Sequence, residues 1–333
     1  MSNNRITRRD LFLAAAAGAI TAATTRRSPA QTNQTPAGPK SQFRYCFNTS
    51  TIRGQNLSLD KEIEIAAAAG YDSIEPWVNK IHDYAKAAGS LTDLRKRIED
   101  SHLTVESAIS FFQWVIDDDA ERAKGLEQAK RDMDVLAQIG GKRIAAPPAG
   151  ATQKPGLDLT KAAERYRALL EIGDKIGVVP QLEIWGPSAN LHRLGQAMFV
   201  VIESGHPNAC LLPDVYHTYK GGSDFNGLKA ISANAIRVFH INDYPADPPR
   251  QTISDRDRVY PGDGIAPLTQ ILRDLHANNP GCLLSLELFN PNYWKLDPLE
   301  VAKTGLAKMK SAVNTSVGVA YRLISHHLAR ESV

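Results

Sequence analysis

Four side chains able to bind a metal or move a proton stand at the ends of apolar runs in the second half of the chain. They are Glu183 in QLEIW, Asp214 in LLPDVYH, His240 in VFHIND and Glu287 in LSLELF. Each alone has an ordinary explanation. A strand glutamate usually faces solvent or an edge, a strand histidine is often a hydrogen-bonded core residue, and an aspartate after proline often forms a turn. The set asks for more, because a charge on a strand covered on both faces must be paired or bind a metal. Three carboxylates meeting at one place repel one another unless a divalent cation lies between them. One imidazole and three carboxylate donors with open positions suit Mn2+, Mg2+ or Co2+ better than a structural zinc site, with Zn2+ as the further candidate. His217 follows Asp214 by three residues, and the two converge only if the strand ends between them.

The elements that must position these residues repeat along the chain. Apolar or β-branched runs at 44–50, 73–77, 103–110, 142–148, 178–185, 209–215, 236–243 and 282–289 read as strands. Between them lie stretches with helical periodicity, such as LDKEIEIAAAAG and DLTKAAERYRALLEIGDKIG. Asp117–Asp119 reads as a helix N-terminus, where acidic residues suit the dipole. Eight strands alternating with helices predict an α/β fold, a single (β/α)8 TIM barrel, in which chemistry sits at the C-terminal ends of the strands. No GxGxxG or P-loop follows any strand, which argues against a doubly wound nucleotide-binding sheet, and PGDG at 261–264 reads as a turn.

The chain has 333 residues and 43% hydrophobic content, enough for one barrel of about 250 residues. With 39 Lys+Arg against 36 Asp+Glu the formal charge is +3, which predicts no nucleic-acid partner. Cys46, Cys210 and Cys282 are too few for a disulfide framework and read as buried thiols; a Cys46–Cys282 pair requires neighbouring strands. At the N-terminus, RITRRDLFLAAAAGAITAA joins Arg8-Arg9 to an apolar run from Leu11 to Ala23 too short to span a bilayer. It resembles a twin-arginine export signal, with SPA at 28–30 as the cleavage site. The expected organisation is therefore a signal peptide at 1–30, a flexible linker at 31–42, the barrel at 43–313 and a C-terminal helical extension at 314–333. Export through the twin-arginine translocase implies a periplasmic or secreted protein with no membrane contact in its mature form, and that route carries folded, metal-loaded proteins.

The second half of the chain resembles the sugar isomerase/epimerase family with the xylose-isomerase-like TIM barrel. The resemblance is carried by GDKIGVVPQLEIW, LPDVYH, VFHINDYP, YPGDG and CLLSLELFNPNYW, in family order, with AAAAGYDSIEPW near strand two. It implies Glu183, Asp214, His240 and Glu287 as metal ligands and His217 and Arg258 as substrate contacts. Glu75, at the end of its strand, is expected at the substrate as well. LEIW departs from the commoner Glu-Asn-His continuation of the family, so the pocket beside Glu183 differs. Trp185, Trp77, Phe112 and Trp114 are either stacking surfaces for a sugar face or ordinary packing.

The resemblance implies a carbohydrate substrate and a divalent cation that chelates a carbonyl and a neighbouring hydroxyl. Glu183 and Glu287 would abstract and return a proton through a cis-enediolate, giving epimerisation or aldose–ketose isomerisation. A lyase acting on keto-sugars or 3-keto-glycosides would use the same enolate, and is the principal alternative. A phosphosugar substrate would draw on Arg250, Arg256 and Arg258 in the loop after strand seven. A DNA-repair endonuclease would need more zinc ligands and a basic groove, and a non-enzymatic sugar binder would not need four intact ligand positions. Lookalikes are commonly dimers or tetramers, so a homo-oligomer stays open.

Overall fold

A computed structural model describes residues 43–330 except 88, with side-chain surroundings to residue 317. The expected signal peptide, its twin-arginine motif and the linker lie outside the described residues. The eight strands are β1 (Arg44–Asn48), β2 (Ser73–Glu75), β3 (Thr104–Val105), β4 (Arg143–Ala146), β5 (Val179–Glu183), β6 (Leu211–Leu212), β7 (Val238–Ile241) and β8 (Leu283–Leu286). Each falls within a run expected from the sequence and is shorter than it. Proline explains three of the early stops: Pro76, Pro147 and Pro213 each follow a strand within one residue of its end and offer no N–H to the ladder.

All pairings are parallel, in the orders β3-β2-β1-β8-β7 and β4-β5-β6. Ala145 N donates to Ala108 O at 2.9 Å across the first seam. The bridges Leu211↔Ile236 and Asp214↔His240 close the second. The result is a closed barrel. The helices packed around it are α1 (Leu59–Ala69), α2 (Val78–Lys86), α3 (Leu91–Asp100), α4 (Asp119–Gln138), α5 (Leu159–Ile176), α6 (Leu194–Glu203), α7 (Val215–Lys220), α8 (Leu268–Asn278) and α9 (Pro298–Arg330). Asp118 caps α4 by accepting the Glu121 N–H, and Gly177 ends α5 with φ 87°. The stretch from 314 is helical and runs on from α9 without a break at 313.

Strand alternation sorts the buried residues into two cores. Phe47, Ile74, Leu182, Leu211, Phe239 and Leu284 point outward, into the large cluster shared with the helices. Cys46, Ile109, Ala145, Leu212, Val238 and Leu283 form a separate cluster inside the barrel. Each polar residue that shares the inward parity is thereby lifted onto the same axis: Asn48 above Cys46, Asp214 above Leu212, His240 above Val238, Ser285 and Glu287 above Leu283. The three cysteines are buried and free. Strands β1 and β8 are neighbours, but Cys46 stands opposite Ser285, out of register with Cys282. Among the described residues no helix is long and apolar enough to cross a membrane.

Candidate metal and proton-transfer site

Asp214 sits where β6 ends and α7 begins. Its Oδ1 caps α7 by accepting the His217 N–H at 2.7 Å. Its Oδ2 accepts from Asn242 Nδ2 at 2.8 Å. The motif that reads as strand and loop is thus a strand followed at once by a helix, and His217 lies in the first turn of that helix rather than on a loop. The helix cap, not strand geometry, brings the pair together.

His240 Nε2 meets Glu75 Oε2 at 3.0 Å. The same oxygen accepts Ser285 Oγ at 2.6 Å and Asn48 Nδ2 at 2.9 Å. Glu75, expected at the substrate, is fully buried behind His240 and is placed to orient that ring. The reason is position along the strand: Glu75 lies one inward step below the cavity wall formed by Trp77. With Nε2 directed at Glu75, Nδ1 turns to the centre, 3.3 Å from Glu287 Oε2 and 4.0 Å from Asp214 Oδ2. Donor atoms of Asp214, His240 and Glu287 all lie within 4.8 Å of one another.

Glu183 stands outside that triad, although the sequence suggests it as a fourth ligand. It ends β5 and faces the same cavity of about 200 Å3. Its carboxylate accepts no hydrogen bond from the described residues. Burial, then the charges of Glu287, Asp214 and Glu75, hold its carboxyl well above the usual carboxylate range against the pull of His240. Glu287 moves the other way: burial raises it, but His240 and Arg258 together hold it low. Burial disfavours a charged His240, yet Glu287 and Glu75 outweigh that and push its basicity well up. The two carboxyls on one rim thereby differ in proton affinity, Glu183 the higher and Glu287 the lower.

Arg258 comes from the long connection after β7. Paired N–H···O bonds between Asp243 and Val259, at 2.9 and 3.0 Å, fold that connection back onto the barrel. The Arg258 guanidinium is fully buried and donates from Nη1 to Glu287 Oε2 at 2.7 Å and to Asp214 Oδ2 at 3.2 Å. Its Nη2 pairs with Asp255 and lies 3.0 Å from His217 Nε2, while Gly186 N points at His217 Nδ1 from 3.2 Å. Burial and the neighbouring Arg258 lower His217, keeping it neutral. A neutral imidazole has one acceptor nitrogen, so the Gly186 and Arg258 donors compete for it. Arg258 is paired with Asp214 and Glu287, and Arg250 lies over the Tyr219 ring at 4.5 Å.

Trp77 and Trp185 line the cavity. Phe112 and Trp114 do not: both are fully buried in the outer core, with Trp114 Nε1 donating to Pro147 O at 2.8 Å. Phe111 and Phe289 take their places at the cavity. In the segment after β3 a one-residue change of side decides between Phe111 and Phe112, and that choice is hidden in the run FFQW. Asn48, Asn242 and Ser285 carry no motif that marks them, although each lies two residues from an inward-facing neighbour and strict alternation along the strand flags it. A larger groove of about 740 Å3 lies outside the barrel between α8 and α9. Its cations are engaged, Arg273 with Ser316 O and Lys308 with Asp263, and it holds no comparable cluster of titratable groups.

The triad fits a divalent cation. Its donors are two carboxylates and an imidazole nitrogen left without a hydrogen-bond partner, and the Arg258 guanidinium against both carboxylates marks the spot as one that holds positive charge. Residues 63–312 match the family model described as xylose isomerase-like TIM barrel. The chain is 30% identical over 278 residues to inosose isomerase of Bacillus velezensis, covering 82% of this chain and 98% of that protein. It is 26% identical over 259 residues to 3-dehydroshikimate dehydratase of Pseudomonas putida, covering 76% of this chain and 39% of that one. Among solved structures, IolI protein with a bound zinc atom superposes with a TM-score of 0.77 at 26% identity, covering 82% of this chain and 99% of that one.

Proposed function

The chain belongs to the xylose isomerase-like TIM-barrel family, and from that premise we propose that it is a divalent-metal-dependent isomerase or epimerase of keto-sugars. The observation that carries the reading is the Asp214–His240–Glu287 triad beside Glu183, a buried carboxyl that no protein group ties down. Asp214, Glu287 and His240 Nδ1 would hold a divalent cation, which would supply Lewis-acid polarisation of a carbonyl and its neighbouring hydroxyl. Mn2+, Mg2+, Co2+ and Zn2+ all accept that donor set.

The remaining chemistry belongs to the side chains. Glu183 takes the proton from the carbon next to the carbonyl, a task suited to a carboxyl whose proton affinity burial has raised. Arg258 and the neutral His217 flank the oxygen on which negative charge develops. Return of the proton by Glu183 to the former carbonyl carbon, with the hydroxyl proton passing to the other oxygen, gives isomerisation; delivery to the opposite face of a different proton, which Glu287 must first take up, gives epimerisation. Glu75 holds the His240 ring in place throughout. The β2, β3, β5 and β8 side of the mouth is walled by aromatic rings, which limits the access of water.

The same enolate could expel water if the substrate carries a leaving group beside it, which is the dehydratase alternative that the relatives keep open. Incubation with a panel of keto-sugars and inososes in D2O separates the outcomes. Metal-loaded protein should place deuterium on the carbon next to the carbonyl with no loss of water, and chelator-treated protein should not. Glu183→Gln should lose the exchange by about 1,000-fold or more, a loss of the size expected for the principal proton carrier. Full exchange by that variant removes Glu183 from the role, and net loss of water turns the assignment to a dehydratase.

A further inference from the structure

The stretch DVYHTYK, residues 214–220, serves two sides of the molecule. Asp214 and His217 face the site. Tyr216, Tyr219 and Lys220 stand at i, i+3 and i+4 of α7 and share another face, which meets the connection after β7. Lys220 Nζ donates to three backbone carbonyls of that connection: Arg250 at 3.0 Å, Gln251 at 3.0 Å and Ile253 at 2.8 Å. The Tyr216 hydroxyl donates to Ile253 O at 3.2 Å. Tyr219 stacks on Tyr244 at 3.9 Å and carries the Arg250 guanidinium on its ring.

An ammonium has three N–H donors, and here each has a carbonyl to accept it. Among the described residues Lys220 pairs with no carboxylate; its charge goes into these backbone bonds, which a charged donor makes strong. Three carbonyls converging on one point fix the curl of residues 250–253. The path from there to the site is short. Ser254 and Asp257 form a reciprocal capping box, and Asp255 between them pairs with Arg258 Nη2. The rest of Arg258 is held separately, its carbonyl by Asn290 Nδ2 at 2.9 Å and its Nη1 by Glu287 and Asp214. Nη2, the edge turned to His217, is the part that Asp255 holds.

The geometry points to Lys220 as a positioning residue: its clasp on 250–253 sets Asp255, and Asp255 sets the Arg258 edge that flanks the developing oxyanion. The inference rests on the isomerase or epimerase reading above. Lys220 does not line the cavity, and the interaction it supports strengthens only as charge develops. Its loss should therefore appear in turnover rather than in substrate binding.

The test uses the full chain loaded with Mn2+. It follows deuterium exchange into a keto-sugar that the unaltered protein turns over, and backbone amide exchange in parallel. Lys220→Met should lower kcat about tenfold with KM within about threefold, and Lys220→Arg, which keeps donors for the carbonyls, should recover most of that loss. Asp255→Asn should lose a similar amount. The double variant should fall no more than about threefold below the lower single variant, whereas independent effects would multiply to about 100-fold. The Ile253 and Asp257 amides, bonded to Pro249 O and Ser254 O, should exchange about tenfold faster in Lys220→Met, with β7 unchanged. If Lys220→Met does not fold, Lys220→Gln takes its place. An unchanged kcat, multiplied losses in the double variant, or no recovery in Lys220→Arg overturns the positioning role. Absence of exchange on every keto-sugar defeats the isomerase reading and leaves the amides to decide the clasp: faster exchange at 253 and 257 upholds it, and unchanged exchange overturns it.

Discussion

At the N-terminal end of the barrel one carboxylate, Glu106, is surrounded by cations. Arg44 reaches it at 2.7 Å, Lys142 at 2.8 Å and Arg143 at 3.3 Å, from the starts of β1 and β4. At the C-terminal end the proportion is reversed: Glu75, Glu183, Asp214 and Glu287 crowd around one arginine and one histidine. The lower site is satisfied by its own side chains. Burial raises the Glu106 carboxyl, but the hydrogen bonds from Arg44 and Lys142 prevail and bring it down to about 2. The upper site keeps unmatched negative charge, a protonation-prone Glu183 and several buried polar atoms without partners. The lower end is arranged for folding and the upper end for chemistry, with the strain of unpaired charge kept where a cation and a substrate can use it.

The sharpest way to break this contrast is to neutralise one carboxylate at each end. Glu287→Gln should cut turnover by about 1,000-fold or more in the deuterium-exchange assay, while the thermal midpoint moves by only a few degrees. A large drop in midpoint would show that the upper cluster holds the fold together. Glu75→Gln should leave turnover at saturating metal within about tenfold and weaken Mn2+ binding by about 10- to 100-fold in a calorimetric titration, because the change acts on the orientation of His240. Unchanged affinity would reduce Glu75 to packing.

At the lower end, Glu106→Gln should leave turnover per folded molecule unchanged. It should cost about 2 kcal/mol in urea unfolding, less than for a sealed pair because two of its three partners are half-exposed. Its acid behaviour should change as well. A carboxyl held near 2 in the folded chain against an ordinary value of 4.5 contributes stability above about 4.5, and that contribution fades as pH falls towards 2. The variant should lack this part of the acid dependence; an identical unfolding profile over that range would remove Glu106 as a stabilising charge.

Much of the upper site is legible in the sequence. Apolar runs ending in Glu183, Asp214, His240 and Glu287 announce charges that the barrel interior must reconcile, and the alternation of strands and helices announces the barrel. What the sequence hides has consistent physical causes. Asn48 and Asn242 are ordinary polar residues until a carboxylate is placed against them. Phe111 and Phe112 differ only in the side they take, and the short β3 leaves the segment after it to be set by neighbours. Glu75 is visible as a strand-end carboxylate, but its work depends on a histidine 165 positions away.

The alternating elements, the strand parity and the list of ionisable groups delivered to one rim follow from the sequence alone, because periodicity and burial are local properties of a chain. How those groups divide the work follows from tertiary structure. Asp214 and Arg258 are 44 positions apart, and Asn48 and Glu287 are 239 apart. Coulomb forces and hydrogen bonds act across the few ångströms that barrel closure creates, and closure made His240 and its two carboxylate neighbours a triad fit for a metal while leaving Glu183 free to carry a proton.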